Sequence, residues 1–194
     1  MDSTTILLVV AGYLIGSIDF GVIVPKLSGV DIYSRGSGNP GTTNVLRTMG
    51  RKAAIIVMLG DLAKGLGAAA LGDLVVGPTV GFGTGLAAVV GHCFPIWHRL
   101  RGGKGVATAA GMMLWLEPLL GAVLLGVWAV LALVAKRASV ASLVVAVALV
   151  PGVLLFEHRG WAVVWSALVA LLIVVRHHDN IRRLLQGAER PIEA

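Results

Sequence analysis

The chain has little charge, one cysteine and none of the usual signatures of a soluble enzyme. Of its 194 residues, 13% are charged, about half the roughly 25% of a soluble domain. The single cysteine, Cys93, excludes an intramolecular disulfide and a cysteine-ligated metal site. Neither flank of Cys93 supplies a triad, so a cysteine acyl-enzyme is not expected. No histidine has an aspartate five residues on, so a His-x4-Asp catalytic pair is absent. His177, His178 and Asp179 are consecutive, and consecutive side chains diverge on a helix. No metal site and no cofactor are expected. Aromatics make up 6%, and the basic residues form neither a helix face nor an aromatic-lined platform. That argues against nucleic acid as a partner. No basic segment precedes the first apolar run, so no cleavable leader is expected.

Apolar length is what the chain has instead. Hydrophobic residues are 57% and the mean hydropathy is +0.88. A helix needs about 20 apolar residues to cross a bilayer. Candidate spans cover residues 5–25, 53–76, 78–90, 119–135, 141–156 and 161–175, with a shorter apolar stretch at 106–115. The expected fold is all-α: a polytopic membrane protein of about seven transmembrane helices, one of them short. It reads as a single transmembrane domain over residues 1–194. The formal charge is +6 and the pI about 10.1. Arg35, Arg47, Arg99, Arg101, Lys104, Lys136, Arg137 and the arginines of the tail fall on one side if 106–115 crosses. Asp73, Glu117, Glu157 and Arg159 fall on the other. The positive-inside rule then puts the N-terminus out and the C-terminus in the cytoplasm. Nothing in the sequence bears on oligomeric state.

Three polar segments interrupt the apolar runs. Residues 91–108 read GHCFPIWHRLRGGKGVAT. Three glycines around Lys104 allow a tight turn whose N–H groups converge, and the ammonium suits phosphate. No Ser or Thr follows the lysine, so this is not a Walker A loop. The bland alternative is a turn between spans. Residues 36–47, GSGNPGTTNVLR, put hydroxyl and amide groups on a turn. Asn44 and Arg47 share a face if a helix starts near Thr42 or Thr43. The tail opens with RHHDNIRRLLQGAE. Inside the second span, Asp61 and Lys64 are three apart and positioned to pair, as a structural or a catalytic ion pair. Asp19, near the end of the first span, is read as reaching water. Pro95 ends or bends the third span. His98, His158 and His178 read as interfacial.

These residues carry a resemblance. The segments 36–47, 91–108 and 176–189 resemble the three cytoplasmic motifs of the bacterial membrane acyl-phosphate:glycerol-3-phosphate acyltransferase family. Matches at 12–21, at Asp61–Lys64–Gly65 and at Ser139–Ser142 extend it over nearly the whole chain. Departures are Thr42, Leu100, Ala138 and His178. The resemblance implies transfer of an acyl chain from acyl phosphate to the 1-hydroxyl of glycerol 3-phosphate. The products are 1-acylglycerol 3-phosphate (lysophosphatidate) and phosphate, the first step of phospholipid synthesis. It implies catalytic roles for Ser37, Asn39, Arg47, Lys104, His177 and Asn180. It implies phosphate or substrate binding at Asn44, His92, Gly102, Gly103, Gly105 and Ser142, and a structural role for Glu189; Asp61 and Lys64 are grouped with it as structural, with a catalytic pair left open. The expected setting is a bacterial inner membrane, with membrane lipid around the site and the site facing the cytoplasm. The proton acceptor is His92, His177 or, the reading preferred here, the substrate phosphate itself. A transporter of a phosphorylated solute is the rival reading; its site would sit near the midplane rather than at one edge.

Overall fold

The computed structural model describes residues 2–155 and 160–192. Glu157, His158 and Arg159, read above as part of a loop on the far side, lie outside the described residues. Among the described residues the chain is all helical. The helices are α1 (Ser3–Gly16), α2 (Phe20–Leu27), α3 (Thr42–Met49), α4 (Arg51–Val75), α5 (Pro78–Cys93), α6 (Val106–Leu116), α7 (Pro118–Ala135), α8 (Ala138–Leu155), α9 (Trp161–Arg176) and α10 (His178–Leu185). Among the described residues, five segments are long and apolar enough to cross a membrane. Counting α9 and α10, which meet at a 56° bend, as one span makes six. Large apolar side chains such as Leu7, Leu133, Val134 and Leu155 point outward, as a lipid-facing surface requires.

The first span is broken at Ser17–Asp19 between α1 and α2. An unwound turn leaves carbonyls without helical partners. Lys64 of α4 donates to one of them, Ile18 O, at 2.8 Å. Asp19 does not reach water: it is fully buried. Small residues allow the helices to approach closely. Gly12 faces Thr84, and Gly16 faces Ala88, so α1 lies backbone to backbone on α5. Gly65 and Gly111 do the same for α4 and α6.

Pro95 ends α5 as expected. The chain then reverses through Arg99 and Leu100, both at left-handed φ (54° and 60°), an uncommon setting for residues with a Cβ. It folds back until Gly105 lies beside Val89 and Cys93. Helix α6 therefore starts about one turn deeper than α5 ends. Thr108 meets Gly65, roughly 20 Å along α4 from Arg51 at about 1.5 Å per residue. At its other end Trp115 Nε1 donates to Asp73 Oδ2 of α4 at 2.9 Å. A short helix thus reaches the far end of the bundle because its start is sunk. The loop expected at 136–139 is shorter than the sequence suggests: α8 already begins at Ala138.

Candidate active site

The polar segments meet at one end of the bundle. Lys104 Nζ donates to Asn180 Oδ1, linking the α5–α6 loop to α10. Asn180 Nδ2 donates to Glu189 Oε1 at 2.6 Å. Ser139 Oγ, in the first turn of α8, donates to the same oxygen at 2.8 Å. Arg183 Nε reaches Glu189 Oε2 at 2.8 Å. The first polar segment joins through Arg47, whose guanidinium donates to the carbonyls of Arg190 and Pro191. Ile192 N donates to Lys136 O at 2.7 Å, so residues 188–192 run across this end from α10 to the start of α8.

A cavity of about 350 Å³ lies beneath these contacts. Its upper wall carries Ser37, Asn39, Arg47, Lys104, His177 and Asn180, all six residues to which the sequence assigned catalysis. Its lower part is apolar, walled by α6, α7 and α8 together with Met58 and Leu62 of α4 and Ile173 of α9. Burial pushes the Lys104 ammonium down to about 8, and the nearby Arg183 and Arg176 cations add to that; Glu189 opposes them. Burial raises the Glu189 carboxyl, but donors from Asn180, Ser139 and Arg183 outweigh it and hold the group below its usual range. His177 Nδ1 lies 2.7 Å from Ile173 O. A carbonyl only accepts, so Nδ1 carries the hydrogen and Nε2 keeps the lone pair of the neutral ring.

Several expected binding groups are engaged otherwise. The Gly102 and Gly103 N–H groups do not converge on an anion: they donate to Cys93 O and His92 O at 3.2 and 3.1 Å. Their carbonyls accept from Arg176, and neither glycine lines the cavity. The cradle expected there is instead a stiff hinge that carries Lys104. Gly105 does line the cavity and caps α6 at φ +84°, a conformation natural to glycine. Asn44 is turned inward from the α3 first turn. Its Oδ1 accepts from Ser37 N at 2.8 Å, and its Nδ2 donates to Arg35 O at 3.1 Å. It braces the loop that presents Ser37. Ser142 lines the cavity, and its hydroxyl accepts from Trp128 Nε1 at 3.0 Å.

Asp61, Lys64 and His92 form one buried group. The Lys64 ammonium lies 2.8 Å from Asp61 Oδ1, 2.8 Å from Ile18 O and 2.9 Å from His92 Nδ1. Its three N–H groups face three acceptors. His92 Nδ1 therefore accepts, and the other edge of its ring abuts Gly103. His92 and Asp61 also touch the cavity wall. Sequence reasoning missed Arg176 and Arg183. Both carry ordinary tail signals, and only the fold shows that one clamps the glycine loop and the other a buried carboxylate.

A family model described as glycerol-3-phosphate acyltransferase matches residues 6–187. The chain belongs to the glycerol-3-phosphate acyltransferase family. A relative of that name from Cupriavidus necator is 45% identical over 96% of each chain. One from Rubrobacter xylanophilus is 42% identical, covering 95% of this acyltransferase and 94% of its relative. Among solved structures, the crystal structure of PlsY, an integral membrane glycerol 3-phosphate acyltransferase, superposes with a TM-score of 0.94 in its glycerol 3-phosphate form. It is 35% identical and covers 98% of this chain and 96% of that one. Its lysophosphatidic acid form gives 0.92 at the same identity. The acyltransferase is thus an integral membrane enzyme of phospholipid synthesis, and the transporter reading has no support among these relatives.

Proposed function

We propose that this acyltransferase uses acyl phosphate as donor and glycerol 3-phosphate as acceptor. The products are 1-acylglycerol 3-phosphate and phosphate, formed at the cytoplasmic edge of a bacterial inner membrane. The observation that carries this is the continuity of one cavity: a polar, cationic head beside Lys104 and an apolar arm between α6, α7 and α8. Each substrate bears a phosphate, and one bears a long chain. The arm takes the acyl chain, and the head takes both phosphates.

Lys104, Arg47 and Arg183 supply the cations, and Ser37, Asn39 and Asn180 supply neutral donors. The primary hydroxyl of glycerol 3-phosphate attacks the acyl carbonyl. The carbonyl–oxygen bond of the mixed anhydride breaks, and phosphate leaves. Phosphate is already a good leaving group, so the work is orientation and stabilisation of the carbonyl oxygen as it gains charge. Lys104 and the Asn180 amide face that task. The departing phosphate takes the hydroxyl proton. His177, its Nδ1 tied to Ile173, holds Nε2 as a fixed acceptor for the secondary hydroxyl of glycerol 3-phosphate, which orients the acceptor without taking the reacting proton. Glu189 positions Asn180 and Arg183 and touches no reacting atom. The surplus of Lys and Arg at the polar end supports a cytoplasmic placement of that end and of the C-terminus.

The test is purified protein in detergent with glycerol 3-phosphate and palmitoyl phosphate or palmitoyl-CoA. Lysophosphatidate and one equivalent of phosphate are expected from the first donor only. Equal turnover with the thioester would overturn the donor assignment.

A further inference from the structure

We propose that Leu149 and Met113 form a closed floor that sets the length of acyl chain this enzyme prefers. The proposal rests on the acyl chain occupying the apolar arm, as argued above.

The depth of the arm can be read along three helices. On α8 the lining residues include Ser139, Ser142, Ala146 and Leu149, one face at helical spacing, with Ala138 and Val145 beside them. Val153, the next on that face, is fully buried and no longer lines the cavity. On α7 the lining runs from Trp128 to Gly121, and Leu120 beyond it is buried against Gly152. On α6 it stops at Met113. The Trp128–Ser142 hydrogen bond of 3.0 Å fixes the antiparallel register of α7 on α8. Seven residues down each helix, Gly121 and Leu149 then face one another. All three walls end at one level.

That level is closed. The missing side chain of Gly121 lets α7 lie directly on the backbone of Met113 and Leu114, so no gap opens between α6 and α7. Leu149 and Met113 are 4% and 3% exposed, and they pack with Leu120 and Val153 in one core cluster. They are the last bulky side chains a descending chain meets.

The distance matches an acyl chain. From Ser139 to Leu149 is about 15 Å along α8 at roughly 1.5 Å per residue. An extended carbon chain advances about 1.2 Å per bond, as a stretched backbone does. About a dozen bonds therefore fit before the floor. Each further methylene must lower the floor or leave sideways, past Leu125, where the wall is 37% exposed. A terminal methylene that stays buried is worth about fourfold in kcat/KM, or about 0.8 kcal/mol.

The experiment measures kcat/KM for acyl phosphates from ten to eighteen carbons. Leu149→Ala deepens the floor by about two to three carbons. The ratio for donors two carbons longer than the wild-type optimum should rise about tenfold. Ala146→Leu, one turn nearer the polar head, raises the floor and should move the optimum to shorter chains. Val147→Ala, on the lipid-facing side of α8 at 67% exposure, should leave the profile unchanged. A second readout needs no turnover: thermal stabilisation by 1-acylglycerol 3-phosphates of the same lengths should shift in the same directions. If the stabilisation profile shifts in a preparation that fails to use acyl phosphate, the donor assignment falls and the floor stands. If turnover is normal and the variants that fold keep the wild-type optimum in both readouts, the chain leaves sideways and the floor is not a ruler.

Discussion

Lys104 makes the polar head testable through pH. Burial is the main reason its ammonium titrates near 8, with Arg183 and Arg176 contributing in the same direction. In the proposed mechanism the reacting form is the cation, because it is to meet phosphate and a developing oxyanion. With a value of about 8, roughly nine-tenths of the free enzyme is charged at pH 7 and roughly one-tenth at pH 9. The quantity kcat/KM reports the free enzyme, so it should fall about tenfold across that range. Both phosphates are past their own titrations there. A guanidinium stays charged throughout. Lys104→Arg should therefore give a flat profile from pH 7 to 9, at a lower level because its fork does not reproduce a point contact with Asn180 Oδ1. Lys104→Gln should lose about 10²–10³ in kcat at pH 7, the cost of removing one stabilising donor. The linkage has a sign as well. The native state binds the lysine proton less tightly than the unfolded chain does, so stability should rise as pH climbs from about 8 toward the ordinary lysine value. Lys104→Met should lack that rise. A wild-type basic limb that survives unchanged in Lys104→Arg would show that another group titrates and would refute this account of Lys104.

Glu189→Gln should lower the melting temperature at pH 7 by the equivalent of about 1–3 kcal/mol, since Asn180, Ser139 and Arg183 lose a shared charged acceptor. Because the native carboxyl sits below its usual range, that stability is present above the ordinary glutamate value and lost as pH falls through the lowered one. The gap between variant and wild type should then close in acid, as followed by thermal unfolding. Asp61→Asn leaves the Lys64 cation buried beside Ile18 and His92, so it should cost about 3–5 kcal/mol. Replacing Asp61 and Lys64 together by leucine should recover much of that loss, measured as thermal stability in detergent. Gly102→Ala puts a methyl group against the His92 carbonyl and Pro95, and it should abolish activity. Gly67→Ala, with nothing within 4 Å, should be neutral or stabilise α4 by up to about 1 kcal/mol.

What could be read from the sequence was what local spacing decides. Apolar length marked the spans, Pro95 marked the end of α5, and the i,i+3 spacing of Asp61 and Lys64 placed them on one face. The six residues assigned to catalysis share one cavity. Hidden from the sequence was everything that depends on a distant partner. The break at Ser17–Asp19 has no proline or glycine, and the carbonyl it frees at Ile18 is taken by Lys64, 46 residues on. Asn44 lines the cavity, but that its two ends also close the loop presenting Ser37 depends on partners that no local spacing announces. The glycines of the GGKG run look like a nest, because nothing local says that Cys93 and His92 carbonyls take two of their N–H groups.

That last pairing explains why the site is where it is. Had Gly102 and Gly103 been free to cradle an anion, the loop would have stayed at the end of the bundle and α6 would have needed a full span's length. Tied instead to the end of α5 and clamped by Arg176, the loop turns inward and delivers Gly105 beside Val89. Two consequences follow from the one fold-back. Helix α6 needs only its eleven residues to reach the level of Asp73, and Lys104 sits below the polar rim, against Asn180 and at the mouth of an apolar arm. Burial that lowers the Lys104 ammonium and the shortness of the helix after it are therefore one structural fact, and a variant that frees the loop should change both.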